Sequence, residues 1–133
     1  TNVPQNADVD RYVTGHLYGG DTETRIVQEK VLGIGGVRLL RKLGIEPSVY
    51  HLNEGHSAFL TLELARELLH ENKEKSFTEA SAEVREKCVF TTHTPVSAGN
   101  DTFPPELLEA CFDENYFAAL RISREEFFAL GRT

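Results

Sequence analysis

Apolar positions along this chain switch between a helical and a strand-like pattern, and the switches divide it into elements. Between residues 22 and 43, Ile26, Gly33, Val37 and Leu40 fall on one side of a 3.6-residue repeat, with Val27, Val31 and Ile34 beside them. So wide an apolar stripe predicts a helix packed on one face. Asp21 is placed to cap its start, with Glu23 in the positive first turn. Arg41 and Lys42 fill its last turn, and Gly44 stands at the C′ position. Pro47 opens a short β-like run over 48–52, and Asn53-Glu54-Gly55 is turn chemistry. Residues 57–72 return to helical spacing at Ala58, Leu62, Ala65 and Leu69. Ser76 and Glu79 have capping-box spacing, ahead of a helix ending near Lys87. Residues 88–92 read as a second strand, and 93–104 as a loop. Pro105 can start a short helix, and Ser123 with Glu126 caps a last one that stops at Gly131.

Strands alternating with helices predict βαβ crossovers, hence an α/β fold with a Rossmann-like parallel sheet flanked by helices. Two strands do not make a stable sheet alone, so further strands are expected within the chain or outside it. Residues 1–20 are rich in turn formers, and no internal repeat or low-complexity stretch is evident.

The 133 residues suit a single domain, and 40% hydrophobic with 26% charged is ordinary for a soluble fold. The net charge of −7, with no basic stripe, argues against nucleic acid as a partner. The apolar runs are too short for a membrane span, and no signal-peptide pattern is visible. Cys88 and Cys111 lack metal or redox spacing; free core thiols, with Cys88 buried, point to a reducing, cytoplasmic setting. The chain does not begin with Met, which reads as an internal cut or a processed end.

In an open parallel sheet, ligands bind beyond the carboxyl ends of the strands. Asn53, Glu54 and His56 follow the first predicted strand; His93 and Thr94 follow the second. Neighbouring strands lie about 4.8 Å apart, so both groups are expected to line one crevice. Asn, His and Thr offer neutral donors and acceptors suited to sugar hydroxyls. The same residues also have plain structural readings. Asn53 and Glu54 can turn the chain and cap a helix, and His56 and His93 can tie down backbone. Metal binding is not expected: His51 and His56 match no zinc spacing. His16 and His70 read as loop and helix-surface residues. Gly33-Ile34-Gly35-Gly36 follows no strand, so close packing of a helix explains it better than a phosphate loop. Glu54 is the one acid in the expected crevice, which gives no basis for two-carboxylate hydrolysis.

Several stretches resemble the bacterial and archaeal branch of the glycogen/starch/maltodextrin phosphorylases. They are Leu17-Tyr18-Gly19-Gly20-Asp21-Thr22-Glu23-Thr24-Arg25 with Gln28-Glu29 and Val31 to Arg38, then Tyr50-His51-Leu52-Asn53-Glu54-Gly55-His56-Ser57-Ala58-Phe59, then Phe90-Thr91-Thr92-His93-Thr94-Pro95-Val96. The resemblance implies that residues 1–133 form part of the N-terminal domain of a two-domain, glycosyltransferase-B-type fold. It implies reversible transfer of a terminal α-1,4-glucosyl unit to phosphate, giving glucose 1-phosphate with retention. It also implies a pyridoxal phosphate cofactor on a lysine of a C-terminal domain absent from this chain, which would leave the chain inactive alone. His93 would contact the reacting glucosyl unit, and Asn53, Glu54, His56 and Thr94 would lie beside that subsite. Tyr18, Gly19, Gly20 and Asp21 would border the entrance. The implied partners are the α-1,4-glucan, phosphate or glucose 1-phosphate, and the absent domain.

Two positions depart from the family pattern: Asn100 and Thr102 stand where basic residues are expected, which affects contacts of that loop with phosphate or glucan. Two other readings stay open: a noncatalytic glucan-binding module, and a glycosyltransferase using a nucleotide sugar.

Overall fold

One helical stripe predicted from the sequence is realised as three consecutive pieces. The computed structural model describes residues 2–16, 20–94 and 101–131. After a short α1 (Asp8–Arg11), α2 (Thr22–Lys30) passes through a widened, π-helical turn (Val31–Gly35) into α3 (Gly36–Lys42). Asp21 caps α2 as expected, its side chain accepting Thr24 N–H at 2.9 Å. Gly44 ends α3 at φ 70°; Gly44 N–H donates to Arg41 O and Ile45 N–H to Leu40 O, the paired bonds of a Schellman close. Within the glycine run close packing falls on Gly33, where a Cβ would lie 2.7 Å from the backbone nitrogen of Leu60, while Gly36 has nothing within 4 Å.

The sheet is formed by β1 (Tyr50–Asn53) and β2 (Cys88–Thr91), which run parallel with Asn53 paired to Thr91. Alternation buries Tyr50 and Leu52 and exposes His51 and Asn53. A single 3₁₀ turn (Gly55–Ser57) leads into α4 (Phe59–Glu71), and α5 (Phe77–Lys87) completes the crossover. The Ser76–Glu79 capping box is present in full. Three short helices follow: α6 (Pro105–Cys111), α7 (Glu114–Leu120) and α8 (Arg124–Ala129), the last with its own capping box at Ser123 and Glu126.

Three expectations are corrected. The first strand lies over Tyr50–Asn53, so Asn53 is its last residue and not part of the turn. Helices α1 and α7 are additional; four and seven residues are too few to display a repeat. Cys88 is half-buried, packed at the edge of the core and not inside it; both cysteines are free, and burial pushes each thiol up.

The chain is therefore an α/β arrangement with a small parallel sheet, and among the described residues that sheet stops at two strands. Val89 and Phe90, on opposite faces of β2, are 50% and 55% exposed. Apolar residues on both faces are what an inner strand of a wider parallel sheet carries. The core lies between sheet and helices, where Val37, Leu52, Leu64 and Leu69 meet an aromatic cluster centred on Phe112. Phe112 packs on Phe59, Tyr116 and Phe127 at centroid distances of 5.1, 5.1 and 5.2 Å. No helix among the described residues is long and apolar enough to cross a membrane.

Candidate functional site

The parallel register brings the two strand tips side by side. Asn53 is opposite Thr91, and Glu54 N–H donates to Thr91 O at 2.9 Å, one step beyond the last paired residues. The ladder then ends, and the Glu54 side chain takes over as acceptor. Its Oε1 receives the backbone N–H of both His93 and Thr94, the latter at 2.8 Å. Its Oε2 receives the Thr92 hydroxyl at 3.0 Å. To do this Glu54 is buried and adopts φ 57°, a left-handed conformation that a side chain with a Cβ disfavours. The backbone amide of His93, with the Thr92 hydroxyl and Thr94, holds its carboxyl below the ordinary carboxylate value, against a smaller opposing effect of burial.

Around this latch stand Asn53 and His93. Both residues are exposed, and neither side chain makes a hydrogen bond to a described residue. Both stand at the carboxyl end of the sheet, where open α/β sheets bind ligands. His51 is engaged instead, its Nε2 lying 2.6 Å from Thr91 Oγ1 across the strands.

His56 faces a different group. Its Nδ1 lies 3.3 Å from Arg25 Nη2 and 3.5 Å from Glu29 Oε1. Arg25 also donates to Asp101, through Nη2 and through Nε at 3.1 Å. Sequence reasoning did not find this cluster of Arg25, Glu29, His56 and Asp101, whose members are up to 76 residues apart. One atom each of Glu29, His56 and Asp101 lie within 4.8 Å of one another, which is also the spacing of metal ligands. The cation among them is Arg25, which pairs with Glu29 as well, at 3.7 Å. Glu29 is almost wholly buried, and its Oε1 has no hydrogen-bond partner among the described residues. Desolvation raises its pKa to about 8, reinforced by the Asp101 carboxylate and opposed by Arg25. Asp101 itself is held low: burial raises it, but Arg25 and Glu29 outweigh that.

Two hollows flank the cluster. One, about 240 Å³, lies between His16 and the Arg25–Glu29 face of α2. The other, about 550 Å³, has Gly55, Phe59, Phe90, Asp101 and Phe103 in its described walls. Asn53 and His93 are not in its described walls, so the shared crevice expected from the sequence does not coincide with this hollow.

The remaining expected residues divide plainly. Asp21 spends its carboxylate on the start of α2, where Thr24 N–H and Oγ1 both reach it at 2.9 Å. Gly20 has φ 96°, and a Cβ there would meet Thr24 at 2.7 Å, so glycine is required. Tyr18, Gly19 and Asn100 lie outside the described residues. Thr102 is exposed and lines the larger hollow.

Comparison with known proteins bears on these positions. The chain is 46% identical over 99% of its length to maltodextrin phosphorylase of Thermococcus litoralis. It is 47% identical over 82% of its length to glycogen phosphorylase of Mycobacterium tuberculosis, and 38% identical over 84% to that of Aquifex aeolicus. It spans 15%, 13% and 16% of those three proteins. No family model matches the chain, and no solved structure matches it significantly. By sequence the chain belongs with the maltodextrin and glycogen phosphorylases, of which it matches one short segment.

Proposed function

We propose that this segment forms the sugar-binding side of an α-glucan phosphorylase active site, in a longer protein that transfers a terminal α-1,4-glucosyl unit to phosphate with retention. The observation that carries the reading is the adjacency of Asn53 and His93 on neighbouring tips of one parallel sheet, both exposed and neither side chain hydrogen-bonded to another described residue. The homology to named phosphorylases across the same strand ends supports it.

In this reading His93, Asn53 and Thr94 orient the terminal glucosyl unit by hydrogen bonds to its hydroxyls. Fixed neutral dipoles stabilise an oxocarbenium-like transition state without reorganising, so positioning supplies much of the rate. His56 stands one turn behind the tip, held by Arg25 and Glu29. Asp21 and Gly20 shape the entry to α2, and Tyr18 and Gly19 precede them in the sequence.

The family's pyridoxal phosphate requires a lysine amine available for an imine and a cradle for a phosphate. The described lysines do not fit it. Lys30 donates to Cys111 O and sits over the Phe112 ring, Lys75 pairs with Glu83, and Lys42, Lys73 and Lys87 are solvent-exposed. No step is therefore routed through the cofactor, whose lysine belongs, on this reading, to another part of the longer protein.

The test measures glucose 1-phosphate release from maltodextrin and phosphate. The longer protein should be active and the 133-residue chain inactive. His93→Ala in the longer protein should lower kcat by about 100-fold. Phosphorolysis by the isolated chain, or an unaffected His93→Ala protein, would overturn the reading.

A further inference from the structure

We propose that Glu54 is a positioning residue for His93, acting through backbone amides and not as a ligand of the sugar. This rests on the functional reading above and deepens it.

The accepted bonds account for the carboxylate. Oε1 takes two amides, from His93 and Thr94, and Oε2 takes the Thr92 hydroxyl. Those are the three residues immediately after β2, where no strand carbonyl continues the ladder. Glu54 thus extends β1 by one acceptor through its side chain, while its own N–H closes on Thr91 O. Two amides converging on one oxygen fix the two peptide planes on either side of the His93 Cα. That sets the direction in which the His93 Cα–Cβ bond leaves the sheet end, within the limits that catalysis imposes.

Two further facts favour this role over sugar contact. Glu54 is 6% exposed, so little of it can meet a hexose, whereas Asn53 and His93 are open. Its left-handed backbone is a disfavoured state that an exposed turn would relieve by using glycine; here it aims the side chain back across the strands.

The experiment uses the longer active protein with Glu54→Ala, Glu54→Gln and Glu54→Asp. Gln keeps a carbonyl oxygen for the two amides and can donate its NH₂ to Thr92 Oγ1. Asp keeps the charge but pulls the acceptor back by one methylene; it stands in if Ala fails to fold. Hydrogen exchange at the His93 and Thr94 amides should quicken about tenfold or more in Ala and Asp, and stay near wild type in Gln. In the same variants kcat should drop about 30-fold for Ala and Asp with phosphate KM nearly unchanged, and recover to within about threefold for Gln. Unchanged exchange in Ala and Asp would overturn the proposal. So would a Gln variant as impaired as Ala with its amides still protected, since the charge itself would then be what the substrate feels. A wild-type protein that releases no glucose 1-phosphate would sink the phosphorylase reading, and the exchange measurement would then decide the latch alone.

Discussion

Arg38 Nε donates to Glu63 Oε1 at 2.7 Å, tying α3 to a carboxylate with no solvent exposure. Arg66, one turn along α4, donates Nη2 to the same oxygen at 2.8 Å and Nε to Oε2 at 3.0 Å. The Tyr116 hydroxyl on α7 reaches Oε2 at 3.3 Å. A single carboxylate thus serves three helices that pack around the sheet. Desolvation pushes Glu63 up, but the bonds from Arg66 and Arg38 outweigh it and keep its pKa below the ordinary value.

Removing that acceptor strands its donors. Glu63→Ala should cost about 2–4 kcal/mol of unfolding free energy, because breaking a buried pair leaves the partner's charge uncompensated. Arg38→Ala should cost much less, since its side chain is more than half exposed and water replaces the lost bond. The sign with pH follows from the lowered pKa. Stability from Glu63 is present above its unfolded value near 4.5 and is lost as pH falls through the lower folded value. Urea unfolding of wild type and Glu63→Ala should therefore differ most near neutrality and converge in acid.

Two glycines in the same helix should respond oppositely to alanine. At Gly33 an added Cβ meets backbone of α4: Leu60 N at 2.7 Å and Phe59 C at 3.0 Å. Backbone cannot swing aside as a side-chain tip can, so Gly33→Ala should destabilise by about 2–3 kcal/mol. Gly36 has ordinary helical dihedrals and nothing within 4 Å of the same added atom. Gly36→Ala should stabilise by about 0.5–1 kcal/mol, through a less disordered unfolded chain. Equal thermal shifts from the two substitutions would mean that the π-helical turn and α4 do not pack this closely.

What could be read from sequence was whatever is local or fixed by topology. Asp21, Gly44, and the Ser76–Glu79 and Ser123–Glu126 boxes act within three or four residues, so their spacing alone located helix ends. The nearness of Asn53 and His93 followed from placing both strands in one parallel sheet, whether adjacent or one strand apart; the structure pairs them directly. The Arg25–Asp101 contact had no such signal, because it closes over 76 residues. Glu29 did carry one: it falls between Ile26 and Gly33 on the apolar stripe of its helix, where an acid must be buried. Glu63, beside Leu64 in a strongly periodic helix, was hidden because its partners Arg38 and Tyr116 lie 25 and 53 residues away in sequence.

The burial of Glu29 sets a pH dependence opposite in sign to that of Glu63. Its folded pKa is raised to about 8 from an ordinary 4.5, so the native state holds a proton that the unfolded chain releases. Between those values stability must fall as pH rises, and above pH 8 the full cost of a buried, ionised Glu29 is present. Each pKa unit is worth about 1.4 kcal/mol, and structural relaxation around the ionised group leaves roughly 2–4 kcal/mol across the window. Glu29→Gln fixes the neutral form, so it should match wild type near pH 5 and exceed it in alkali. Asp101→Asn should also flatten the wild-type slope, because the Asp101 carboxylate is part of what keeps the proton on Glu29. That substitution also removes the Arg25–Asp101 ion pair, so its curve should be lower overall yet less steep. Thermal melts of the three proteins from pH 5 to 9 read all of this. Parallel curves for wild type and Glu29→Gln would mean that Glu29 is ionised throughout and that the cluster is an ordinary ion pair.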